Sequence, residues 1–136
     1  MQADFLDAHC RHWADAEFLR DAQRLANADH LYGMAAECGL KRLMEMLKQG
    51  PLIRADWVHV MEKKPHNAWS RYQVYLSGHA NATKFPLPDV NPFADWSASQ
   101  RYAKQSSFDA ARVQKHQAGA KVVNELIRKA QMEGLI

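Results

Sequence analysis

The chain lacks an uninterrupted apolar run near the roughly 18–20 residues that a membrane-spanning helix needs. Its first residues, Met-Gln-Ala-Asp-Phe-Leu-Asp, are acidic and amphipathic, a pattern that differs from a secretory signal. The only cysteines, Cys10 and Cys38, each lie within a helical pattern. We interpret them as reduced core thiols of a cytoplasmic protein in preference to a disulfide or a redox pair.

Several functional motifs are also missing. There is no glycine-rich phosphate loop, which argues against a P-loop or Rossmann site, and there is no nucleophile elbow. The 7 histidines raise the question of a metal. However, His-Glu-x-x-His, paired Cys-x-x-Cys and the Glu-x-x-His pairs of di-iron proteins are all absent. We therefore expect neither a metal nor another cofactor.

What is present is an ordinary globular composition, with 47% hydrophobic and 24% charged residues in a chain of 136. This length predicts one domain over residues 1–136. Apolar residues recur at helical spacing, and no stretch alternates as a strand would. The sequence thus predicts an all-α fold, an antiparallel bundle of four main helices plus one or two short ones. We expect the main helices at about 3–26, 28–49, 67–76 and from 106 or 107 to 133, a short helix at 54–64, and an ordered loop at 80–95 pinned by Phe85, Leu87 and Phe93.

The most informative stretch is residues 27–41, which begins the second predicted helix. Asn27 or Asp29 could cap its first turn. Gly33 and Gly39 then fall within the helix, where each glycine costs about 1 kcal/mol relative to alanine. Two glycines at such positions predict that another backbone or a ligand approaches the helix closely.

The two N-terminal segments, HWADAEFLRDAQRLA and NADHLYGMAAECGLKRLM, resemble the HEPN family (higher eukaryotes and prokaryotes nucleotide-binding). HEPN proteins are small helical domains, and many are RNA-cleaving toxins or defence components. The resemblance implies RNA or a nucleotide as ligand. It also implies a second copy of the chain as partner, with a nucleotidyltransferase-type antitoxin as a further candidate partner.

HEPN ribonucleases pair an arginine and a histidine that are separated by a polar spacer of four to six residues, for metal-independent attack of an RNA 2′-hydroxyl on the adjacent phosphate. The nearest match here is Arg112-Val-Gln-Lys-His116, which has three intervening residues but still places both side chains on one helix face. By this resemblance, Arg112 and His116 are the candidate catalytic pair. The alternative is that His116, which falls on the apolar stripe of its helix, is a buried histidine with a hydrogen-bond partner. Arg24 and His30 have the right spacing but straddle a turn, and we treat that match as coincidence.

A candidate nucleotide- or RNA-binding surface lies in residues 95–102. Trp96 and Tyr102 offer rings for stacking, and Arg101 offers a phosphate contact. Lys115 belongs to the last helix, in a region where residues 98–136 carry 7 basic and 3 acidic side chains. Such a face suits a polyanion, although surplus lysines on a solvated helix are the simpler alternative. A second alternative is that the rings of Trp96 and Tyr102 pack over one end of the helical fold. The rival function is then a catalytically inactive protein-interaction module, most simply a dimer.

Overall fold

The computed structural model describes residues 1–63 and 65–136, which form four α-helices and contain no β-strand. The helices are α1 (Phe5–Asp21), α2 (Leu25–Lys48), α3 (Ala68–Leu76) and α4 (Ala110–Met132). Short 3-10 turns occupy Arg54–Asp56, Ala98–Tyr102 and Gln105–Ser107. The all-α class is therefore confirmed. Within the described residues, no helix combines the length and apolar character needed to cross a membrane.

Helix α2 is the central element, because α1, α3 and α4 all pack against it. Its small and aliphatic residues fill the interior of the protein, and several are fully buried, among them Ala35, Ala36, Leu40, Leu43 and Met44. Burial of this kind contributes most of the stability of a helix in a protein of this size, since intrinsic propensity alone is marginal. The polar residues that α2 carries into the interior consequently need partners from other elements.

The two glycines of α2 lie at close contacts, as their positions predict. A Cβ atom at Gly33 would overlap the indole of Trp96. A Cβ atom at Gly39 would lie 2.5 Å from Val123 and 2.7 Å from Nδ1 of His9. The missing side chains therefore let Trp96 reach α2 on one side and let α1 and α4 reach it on the other.

The helix caps differ from the prediction. Helix α2 begins at Leu25, so Asn27 and Asp29 lie inside it and neither is its cap. Helix α1 ends early because Gln23 takes a positive φ of 61° just after it. Helix α4 is capped by Asp109, whose carboxylate accepts a hydrogen bond from the amide of Arg112 at 2.8 Å.

The short helix predicted over 54–64 is wrong for the residues that the structure describes; residue 64 lies outside them. Only the turn Arg54–Asp56 forms there. The fully buried Asp56 carboxylate accepts hydrogen bonds from Arg71 and from Tyr75 Oη, and the amide of Ile53 also donates to it. These long-range contacts hold the segment 51–63 against α2 and α3 in an irregular conformation.

The long loop before residue 96 is ordered by buried side chains, as predicted. Phe85, Leu87 and Phe93 are all buried. Tyr72 Oη of α3 donates to the carbonyl of Phe85 at 2.7 Å, and Trp69 Nε1 donates to the carbonyl of Pro88 at 2.8 Å. The ordered loop thereby places residues 95–102 against the N-terminal parts of α2 and α4.

The prediction that both cysteines are core thiols is wrong for Cys10, which is exposed on α1, whereas Cys38 is buried.

Candidate functional site

The predicted pair Arg112 and His116 belongs to a buried polar network. His116 is fully buried, with Nδ1 2.6 Å from Asp29 Oδ1 and Nε2 2.8 Å from Asp95 Oδ1. Each ring nitrogen of His116 therefore faces a carboxylate oxygen. The ring is also stacked on Phe93, with the ring centres 5.3 Å apart. His116 is thus the buried, hydrogen-bonded histidine of the alternative interpretation.

Arg112 and Gln100 complete this network, which we call the His116 cluster (Asp29, Asp95, Gln100, Arg112 and His116). Gln100 Nε2 donates to Asp29 Oδ2 at 2.6 Å, and Arg112 Nε lies 3.4 Å from the same oxygen. Arg112 Nη2 also donates to Gln100 Oε1 and to the carbonyl of Asp95. The cluster joins α2, the long loop, the turn Ala98–Tyr102 and α4, which are distant in sequence.

Lys115 approaches the exposed side of the cluster, where its ammonium donates to Asp95 Oδ2 at 2.8 Å. Burial alone would raise the pKa of Asp95, but hydrogen bonds from Lys115 and His116 outweigh it and lower that pKa to about 2. Arg112 and Lys115 therefore both face carboxylates that offset their charge. His116 is fully buried with both ring nitrogens on carboxylates, and the catalytic role of Arg112 and His116 stays a prediction.

The other predicted ligand-binding residues differ in their solvent exposure. Trp96 is only 2% exposed, and its Nε1 donates to the backbone carbonyl of Asp29 at 3.3 Å. Tyr102 is 79% exposed and Arg101 is exposed beside it, with the guanidinium carbon 4.8 Å from the Tyr102 ring centre. Trp96 can thus pack beneath a binding surface, whereas Arg101 and Tyr102 are exposed and available to a ligand.

A second group of polar residues surrounds the other side of Trp96. The ring of His30 stacks on the indole at a centre-to-centre distance of 5.7 Å, and His59 contacts its edge at 6.4 Å. His12 on α1 lies within electrostatic range of His30 and Glu37. We call His12, His30, Glu37 and His59 the histidine cluster. All three histidines are partly exposed.

Glu37 is the anchor of the histidine cluster. It is 5% exposed and accepts hydrogen bonds from Lys41 Nζ at 2.7 Å and from His59 Nδ1 at 3.0 Å. Burial would raise its pKa, but these two hydrogen bonds hold the pKa below its ordinary value. The Lys41 ammonium also lies 5.7 Å from the ring centre of Phe5 and 5.4 Å from that of Trp57. The charge of Glu37 is therefore fixed, and it orients His59.

The histidines of this cluster have opposite pKa shifts. Burial lowers the pKa of His12 and of His30, and the positive charges of Arg11 and Arg101 respectively lower them further. The pKa of His59 is raised, chiefly by its hydrogen bond to Glu37. The cluster therefore places neutral imidazoles beside one that holds its proton more firmly. His30 Nδ1 is a buried polar atom without a hydrogen-bond partner, an uncommon situation in a folded protein.

Our sequence reasoning missed the histidine cluster, although part of the signal was present. His30, Glu37 and Lys41 are spaced by seven and four residues, which places them on one face of α2. Polar residues repeated on the face of a small-residue, buried helix indicate a site more than a solvated surface. His59 could not be found this way, because it comes from the irregular segment 51–63. Within the described part of the chain, no group of three or more His, Cys, Asp or Glu residues is arranged to hold a metal ion.

Comparisons with protein families, with curated proteins and with solved structures return no match for this chain. The interpretation of both clusters therefore rests on their geometry and charge.

Proposed function

We propose that this protein is a HEPN-like nucleotide- or RNA-binding domain, with its four helices arranged as an antiparallel bundle. Metal-independent ribonuclease activity of the toxin or defence type is part of the same proposal. The observation that carries it is the exposed pair Arg101 and Tyr102, which sets a guanidinium against an aromatic ring. An arginine fork binds phosphate through directed N–H groups, and an exposed ring stacks on a base.

Charge supports Arg101 as the main phosphate contact. In the described residues the Arg101 guanidinium hydrogen-bonds the carbonyl of Ala98 at 3.0 Å, and it pairs with no carboxylate. Arg112 and Lys115, by contrast, are 3.3 Å and 2.8 Å from Asp95 Oδ2. A bound phosphate would consequently gain more from Arg101 than from either of them, while Lys115 would contribute at the edge of the site.

The buried His116 cluster holds this surface in place. Gln100 lies inside the turn Ala98–Tyr102 and is bonded to Asp29 and Arg112, so the network fixes the turn that carries Arg101. In this proposal Arg112 and His116 act first as positioning residues. Their direct participation in cleavage is tested by His116→Asn, which should remove cleavage while the fold and RNA binding persist if His116 reacts.

The experiment for the binding proposal is a chemical-shift titration of the labelled protein with a short single-stranded RNA and, separately, with ATP, each at two salt concentrations. We expect shifts at Arg101, Tyr102 and Lys115 that weaken as salt increases, because phosphate binding releases counterions. An absence of shifts at millimolar ligand would contradict the proposal.

A second candidate function, a dimeric and catalytically inactive interaction module, is favoured by an apolar groove of about 270 Å³ beside α4, which Lys115 also lines. Its wall includes Val90, which is 81% exposed, together with Pro92, Ala118 and Val122. A second copy of the chain is the proposed occupant. Analytical ultracentrifugation should then detect a dimer that Val90→Glu dissociates, whereas a monomer at all concentrations would reject this candidate.

A further inference from the structure

We propose that His30 and His59 are the proton-transferring residues of the RNA-cleaving reaction, with His30 stacked on the Trp96 indole and His59 at its edge in the histidine cluster. This inference rests on the proposed RNA-binding function and assigns the chemistry to residues outside the Arg112–His116 pair. Its basis is the placement of two partly exposed imidazoles within 6.4 Å of one buried indole ring.

The first feature that supports this proposal is that the histidine cluster contains ring nitrogens without a hydrogen-bond partner. In the described residues neither His12 nor His30 forms a hydrogen bond through its ring, and Nδ1 of His30 is buried as well as unpartnered. A buried polar atom without a partner is costly, and function is one reason why such an atom is retained. The His116 ring, in comparison, has both nitrogens occupied by carboxylates.

The surroundings of the two histidines give them different roles. His30 faces Arg101 from the turn Ala98–Tyr102, Asp29 and Glu37 from α2, and His59 from the segment 51–63. Burial and Arg101 favour its neutral form, which can accept a proton. His59 faces Glu37, Glu62 and Lys41, and its hydrogen bond to Glu37 favours the protonated form. Opposite shifts in neighbouring groups are the arrangement by which proteins assign a base and an acid.

The reaction written for this site is balanced and needs no co-reactant. The ribose 2′-hydroxyl oxygen forms a bond to the adjacent phosphorus, and its proton passes to the neutral His30. The bond between phosphorus and the 5′-oxygen breaks, and that oxygen takes a proton from the His59 imidazolium. The products are a 2′,3′-cyclic phosphate and a 5′-hydroxyl end, and proton exchange with water restores both histidines. Arg101, which lies next to His30, would stabilise the charge on the phosphoryl oxygens.

The test is a single-turnover cleavage assay on a labelled single-stranded RNA in the presence of EDTA, with RNA affinity measured in parallel. The variants are His30→Gln and His59→Asn, which keep a hydrogen-bonding side chain but cannot titrate. His66→Ala, an exposed histidine of the 65–67 loop, is the matched control. His116→Asn is the competing variant.

We expect His30→Gln and His59→Asn each to slow cleavage by about 100-fold or more, the usual size of a general acid or base contribution, at unchanged RNA affinity. The bell-shaped pH–rate profile should lose its acidic limb in His30→Gln and its alkaline limb in His59→Asn. His66→Ala should cleave at the wild-type rate.

Three results would overturn the inference. If the wild type binds RNA but does not cleave it, or if only His116→Asn is slow, the assignment to His30 and His59 fails while the binding function stands. If the wild type does not bind RNA at all, the proposed function fails and this inference fails with it. The parallel affinity measurement distinguishes the two cases.

Discussion

His116 Nδ1 lies 2.6 Å from Asp29 Oδ1, and both side chains are fully buried although they are 87 residues apart in sequence. This contact joins the second turn of α2 to the second turn of α4. Removing one partner of a buried hydrogen bond leaves the other polar group buried with that bond unmade, which lowers the free energy of unfolding. The relationship therefore predicts how the chain responds to loss of the histidine.

We predict that His116→Ala lowers the free energy of unfolding by about 1–3 kcal/mol, because Oδ1 of the buried Asp29 would lose its hydrogen bond while Gln100 and Arg112 stay on Oδ2. Urea denaturation followed by circular dichroism measures the change. His66→Ala, at an exposed position, serves as the control and should leave the midpoint unchanged. A loss below about 1 kcal/mol for His116→Ala would show that the fold does not depend on this hydrogen bond.

Asp95 should give the protein a specific acid sensitivity. Its pKa in the folded protein is lowered to about 2 from an ordinary value of 3.8. A depressed carboxyl pKa stabilises the fold above the unfolded value and loses that contribution as the pH falls through the folded value. The stability difference between wild type and Asp95→Asn should therefore be present at neutral pH and shrink between pH 4 and pH 2.

The size of this effect is limited by solvent, since the Asp95 side chain is 44% exposed. We expect no more than about 1 kcal/mol at neutral pH. Urea midpoints measured for both proteins across this pH range provide the test. A difference that stays constant, or that grows towards low pH, would contradict the assigned pKa direction.

Gly33→Ala should destabilise the protein even though alanine favours helices. The new methyl group would overlap the Trp96 indole, and overpacking in an interior costs about 1–3 kcal/mol, more than the helix propensity gained. Gly50→Ala is the matched control, because its Cβ would meet no atom closer than 4.0 Å. Thermal unfolding of both variants should separate them, and a Gly33→Ala protein as stable as wild type would refute the close contact.

Glu37→Gln should lower the pKa of His59, since the hydrogen bond to the Glu37 carboxylate is the main cause of its elevation. The pKa values of His12 and His30 should fall by less, because Glu37 acts on them only through its charge. Titration of the imidazole proton signals by NMR measures all three. Glu45→Gln, on the same helix, is the control and should leave the His59 titration unchanged.

The same substitution has a consequence for stability. A histidine whose pKa is raised on folding stabilises the protein below its unfolded pKa of about 6.5 and loses that contribution as the pH rises through the folded value. The stability difference between wild type and Glu37→Gln should therefore shrink as the pH rises through that window, since His12 and His30, whose pKa values are lowered, are present in both proteins. A difference that stays constant would mean that the hydrogen bond to Glu37 does not raise the pKa of His59.

Local sequence signals were sufficient to predict the helices and to predict one kind of tertiary contact. Periodic apolar residues gave α2 and α3 to within a few residues, and the two glycines of α2 indicated close approach before its partners, Trp96 and His9, could be named. These signals are local because a helix repeats its buried face every three or four residues. The inward position of His116 on α4 followed from the same periodicity.

The sequence was insufficient where distant polar groups decide the conformation. Residues 54–63 have helical composition, yet the buried contacts of Asp56 with Arg71 and Tyr75 hold them in an irregular path. For the same reason, neither the Asp29–His116 contact nor the approach of His59 to Glu37 could be predicted. Each depends on packing between segments, which helical periodicity does not encode.

We propose that the surface carrying Arg101 and Tyr102 binds the phosphates of RNA or a nucleotide. Fluorescence anisotropy with a short single-stranded RNA at several salt concentrations tests this by comparing Arg101→Gln with Arg128→Gln, an equal loss of charge at an exposed position of α4. We expect Arg101→Gln to weaken binding about tenfold and to reduce the salt dependence by about one counterion, whereas Arg128→Gln should change little. Equal losses in both variants, or no binding by the wild type, would contradict it.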